Sequence, residues 1–67
     1  MSSGEARYQV ERAIAAVDSA GVALDRLLSA LTDDPDTPAV TIEVARLAIV
    51  DARLLHERVR ALRKRVD

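Results

Sequence analysis

The sequence predicts an all-α fold, an antiparallel two-helix hairpin of coiled-coil type, expected to pair into a four-helix bundle. Three observations carry that reading. Apolar residues recur with a seven-residue helical repeat along two segments. One polar, proline-bearing stretch, Asp33–Pro38, separates the segments. The composition is rich in helix formers, with 31% charged residues, two glycines, two prolines and Tyr8 as the sole aromatic. The 67 residues bound the chain, 1–67, to one domain.

The elements follow in order. Ser2-Ser3-Gly4-Glu5 has the form of a capping box, in which the Ser2 hydroxyl accepts from the Glu5 amide and the Glu5 carboxylate accepts from the Ser2 amide. The first helix is expected over about residues 3–32. Asp33-Asp34-Pro35-Asp36 ends it, because proline lacks an amide donor and restricts the residue before it. The turn is placed at 33–37. Thr37 suits the N-cap of the second helix and Pro38 its first turn, with Asp36 beside the positive end of the helix dipole. The second helix is expected over about residues 38–66. At ~1.5 Å per residue each helix spans roughly 45 Å, so the two would lie flush.

The seam is read from spacing. Val10, Ile14, Val17, Gly21, Leu24, Leu28 and Leu31 line one face of the first helix. Ile42, Ala45, Ile49, Ala52, His56 and Val59 line one face of the second. Folding at the turn sets Leu24 against Ala45, Gly21 against Ile49 and Val17 against Ala52, large facing small. Gly21 costs about 1 kcal/mol of helix propensity relative to Ala, and a hole for Ile49 is one reason to carry it. A plain weak point in the helix is the other. Charges give a second sign of register. Glu11, Asp18 and Asp25 recur along one flank of the first helix, and Arg46, Arg53 and Arg60 along the matching flank of the second. The pairs Glu11–Arg60, Asp18–Arg53 and Asp25–Arg46 are expected. Exposed ion pairs contribute only about 0–1 kcal/mol each, so their use is in setting register.

The opposite flank has no charge. It holds Ala6, Ala13, Ala20 and Leu27 on the first helix, and Thr41, Ala48, Leu55 and Leu62 on the second. Four-helix bundles bury such a widened face, and a lone hairpin cannot. An oligomer interface is therefore expected at Ala13, Ala20, Leu27, Ala48, Leu55 and Leu62. Val40, Leu47 and Leu54, with Val50 nearby, form a further stripe facing away from the first helix. Single surface aliphatics mean little. A stripe repeating every seven residues is read here as a candidate contact surface for a partner.

Other features resolve into structural roles. There is no cysteine, and His56 stands alone, so neither a thiolate nor an imidazole metal site is expected, and no cofactor. His56 on the seam reads as a polar layer rather than a pH switch. Asp33, Asp34 and Asp36 form a turn far too short for a calcium loop. Arg58, Arg60, Arg63, Lys64 and Arg65 spread around the helix circumference, whereas a nucleic-acid-binding helix gathers its cations on one face. The formal charge of −1 adds no general drive toward nucleic acid or anionic lipid. The first residues have no signal-peptide pattern and no stretch is apolar enough to span a bilayer, so a cytoplasmic location is expected. No nucleophile grouping or phosphate loop is present.

The expected function is thus a non-enzymatic helical protein–protein interaction module. The expected partners are a second copy of itself, in a homodimer or higher even oligomer, and a further protein at the outer stripe. The alternatives are a small nucleic-acid-associated regulator using the basic C-terminal end, and a helical-dimer enzyme with a site of Arg7, Glu11, Arg60 and Arg63.

Overall fold

The computed structural model describes residues 3–66 as two packed helices. Helix α1 runs Ser3–Asp33 and α2 runs Ala39–Ala61, followed by a 3-10 turn at Leu62–Lys64. The expected capping box needs Ser2, which lies outside the described residues. Within α1, the Gln9 side-chain amide donates to the Glu5 carboxylate at 2.8 Å, an i,i+4 contact that supports the first turns.

The reversal is tight. The Asp34 amide donates to the Leu31 carbonyl at 3.3 Å, and the Thr37 amide donates to the Asp34 carbonyl at 3.1 Å. The Asp34 carboxylate accepts from the Asp36 amide at 2.9 Å, the local bond that makes Asp a turn residue. None of the described residues has a positive φ, so the chain turns without glycine.

Two expectations are corrected here. Thr37 is not the N-cap of α2; Pro38 is, with ψ at 146°, and no side chain caps the helix. The Pro38 carbonyl accepts from the amides of Thr41 and Ile42, at 3.0 and 3.3 Å. Proline forces the preceding residue out of the helical region, and its own extended ψ delays the helix by one residue. The far end of α2 also stops short of residue 66. Its last turn tightens to 3-10, and the Leu62 carbonyl accepts from Arg65 and Val66, at 2.9 and 3.2 Å. With 31 and 23 residues, the helices are about 46 and 35 Å long, not equal.

All of the expected seam positions, Val10 to Leu31 and Ile42 to Val59, are buried or half-buried. Among the described residues, three are buried: Val10 at 9% exposure, Ile14 at 6% and Ala45 at 7%. This is little core for a chain that is 49% hydrophobic. The molecule is a rod of 55 × 14 × 10 Å with a radius of gyration of 15.7 Å. A compact domain of this length would have about 11 Å. Its accessible surface is 5250 Å². A compact monomer of 7.3 kDa exposes about 4,200 Å². Among the described residues, no helix is long and apolar enough to cross a membrane.

Candidate functional site

The seven-residue repeat gives the hairpin two unlike flanks and an outer face on each helix. On the charged flank a groove of about 400 Å³ opens over Val17, Gly21, Ile49 and Ala52, with Asp18, Asp25, Arg53, His56 and Glu57 on its walls. Asp18 and Asp25 of α1 therefore do share one flank with Arg46 and Arg53 of α2. They do not pair as expected.

Glu11 bonds Arg63, not Arg60. The Arg63 guanidinium donates through Nε to Oε2 at 2.6 Å and through its terminal nitrogen to Oε1 at 2.7 Å. Asp18 meets His56, not Arg53, with Nε2 at 2.7 Å from Oδ1. Arg46 turns back to Glu43 on its own helix at 3.6 Å, and among the described residues no ion pair forms at Asp25. Glu11 and Asp18 thus each lie against a residue three beyond the expected one. The cause is position. His56 and Arg63 continue the seven-residue seam series of Ile42 and Ile49, whereas Arg53 and Arg60, three residues earlier, are exposed on the flank beside it. Extending the repeat past Val59 would have placed Arg63 and the half-buried Val66 on the seam.

The Glu11–Arg63 clamp has the fork geometry of a charge-assisted pair. The hydrogen bonds from Arg63 hold the Glu11 carboxyl below its ordinary value against a small opposing effect of burial, and the nearby positive charge adds to it. The same bonds raise the guanidinium of Arg63. Of the four residues weighed as a bundle-end Arg/Glu site, these two come together. Arg63 is consequently engaged rather than presented to an outside phosphate. His56 is half-buried, and no aligned hydrogen bond reaches its Nε2 despite the short distance to Asp18. It stands as a polar layer between the aliphatic seam residues Ala52 and Val59.

Gly21 gives a further correction. A methyl group built there meets nothing within 4 Å, so Ile49 does not fill a hole at the glycine. The groove over Gly21 is open space, and the large-on-small fit expected at that layer is absent.

The uncharged flank is the other face. Ala13 and Ala48 are half-buried on it; Ala20, Leu27, Leu55 and Leu62 are exposed. Leu55 is 51% exposed and Leu62 44%. The outer stripe of α2 is exposed as well, from 45% at Leu54 and 56% at Leu47 to 69% at Val40, with Val50 also exposed. Its counterparts on α1 are Arg12, Ser19 and Arg26. There, Arg12 lies over the Tyr8 ring at 5.9 Å and shields part of that aromatic. Among the described residues, no three His, Asp or Glu side chains gather as a metal ion would require. No family model, curated protein or solved structure matches the chain.

Proposed function

We propose that this chain is a non-enzymatic helical interaction module that associates with a second copy of itself through the uncharged flank. Ala13, Ala20 and Leu27 of α1 and Ala48, Leu55 and Leu62 of α2 form the contact, giving a four-helix bundle. The outer stripe of Val40, Leu47, Val50 and Leu54 is a second contact surface, open to another protein.

The observation supporting this reading is the surplus of surface. The hairpin exposes about 1,000 Å² more than a compact chain of its mass. A standard interface removes about 800 Å² from each partner. Chains this short rarely draw more than about 3–5 kcal/mol from a single core, and this one has no cysteine for a disulfide. Association through an apolar face supplies the missing burial. The flank between the helices has no charge to desolvate, unlike the groove side with Asp18, Asp25 and Arg53.

The test is the double variant Leu55→Glu with Leu62→Glu. Burying each leucine contributes about 1.5–3 kcal/mol. Each copy brings both leucines, already about half-buried in the hairpin, so four half-burials are lost and self-association weakens by roughly 10²–10⁴-fold, more if the carboxylates stay charged in the contact. Helicity of the parent chain should fall on dilution only at concentrations far below those at which the variant loses it. Identical dilution curves for the two proteins would remove the uncharged flank from the interface.

A further inference from the structure

We infer that in this bundle α1 of each copy lies beside α2 of its partner, with both turns at the same end and the two-fold axis along the helices. The inference rests on the self-association proposed above and specifies its geometry. Two symmetric arrangements can bring the uncharged flanks together. With the axis across the helices, α1 meets α1 and α2 meets α2. With the axis along them, α1 meets α2 twice.

Side-chain size separates the two. The flank of α1 offers Ala13 and Ala20 with Leu27; that of α2 offers Leu55 and Leu62 with Ala48. Helix axes pack about 8–10 Å apart, closer for small contact residues. An axis across the bundle would join two alanine-rich helices at the short distance and two leucine-rich ones at the long distance, wedging the rods apart at one side. An axis along the bundle makes both contacts the same by symmetry, each with alanine against leucine.

The register agrees. The Glu11–Arg63 and Asp18–His56 contacts show which stretches of α1 and α2 lie side by side. On that scale, to within about one helical turn, Ala13 lies beside Leu62, Ala20 beside Leu55 and Leu27 beside Ala48. An axis along the helices keeps two copies level, so these pairs recur between copies, and small meets large at each layer. The surplus surface is enough for this occupant, as the comparison with a standard interface showed.

Disulfide trapping tests the arrangement, since the chain has no cysteine of its own. Ala20→Cys and Leu55→Cys chains, unfolded together, refolded and oxidised, should give a mixed disulfide dimer as the main product. Each variant alone should remain largely uncrosslinked. Ala13→Cys with Leu62→Cys provides a second pair at another layer, should the first disturb folding. Efficient crosslinking of Ala20→Cys to itself, or of Leu55→Cys to itself, would overturn the inference in favour of the crossed axis. A dimeric mass with no mixed product from either pair would overturn it as well. A monomeric mass for the parent chain would instead defeat the self-association on which the geometry rests.

Discussion

Glu11 and Arg63 tie the beginning of α1 to the end of the chain by two bonds, 2.6 and 2.7 Å long. Both side chains remain about half exposed, so the clamp acts on the alignment of the helix ends more than on total stability. Its pH dependence follows from the direction of the shift. The carboxyl of Glu11 is held lower in the folded state, so the contribution is complete above its ordinary range. It is lost as pH falls through the depressed value. Glu11→Gln should therefore lower the thermal midpoint modestly at neutral pH, and the gap from the parent should close on acidification. A gap that stays constant down to strongly acid pH would show that the carboxylate form is not what matters. Gly21 gives the opposite sign. Open space surrounds its missing methyl. Gly21→Ala should stabilise the hairpin by about 1 kcal/mol in denaturant unfolding, from helix propensity alone. A destabilised alanine variant would mean that the groove closes on Gly21 in solution. Residues were the least legible scale. The sequence placed the acids and arginines on one flank, yet seven-residue spacing says nothing of reach. His56 and Arg63 stand on the seam and take the acids that Arg53 and Arg60 were expected to hold.

At the scale of the element, the two outer faces differ in kind. Helix α1 presents Arg12, Ser19 and Arg26, where α2 presents Val40, Leu47 and Leu54. Neither seam nor uncharged flank uses the α2 stripe. Leu47→Gln with Leu54→Gln should thus leave helicity and assembled mass unchanged, since each glutamine stays in water and keeps helix propensity. Loss of self-association in that variant would assign the stripe to the homo-oligomer instead. The helices themselves were legible because periodicity over many turns averages out local exceptions. All of the seam positions read from spacing are buried or half-buried. Helix ends depend on single bonds, and the sequence misjudged them: Pro38 rather than Thr37 caps α2, and the last turn tightens at Leu62.

For the whole molecule, the decisive quantity is how little the hairpin encloses. A rod 55 Å long and 10 Å thin leaves most of its aliphatic side chains in water. Three buried residues and a half-buried seam leave little burial to set against the conformational entropy of ordering some sixty. The sequence hinted at this through the charge-free flank, but the size of the surplus appears only once surface area is known. Sedimentation equilibrium of the unmodified chain, with helicity recorded on the same samples, is the most direct test. A mass of at least twice 7.3 kDa is expected wherever the chain is fully helical. A fully helical species of monomer mass across the accessible concentration range would contradict it.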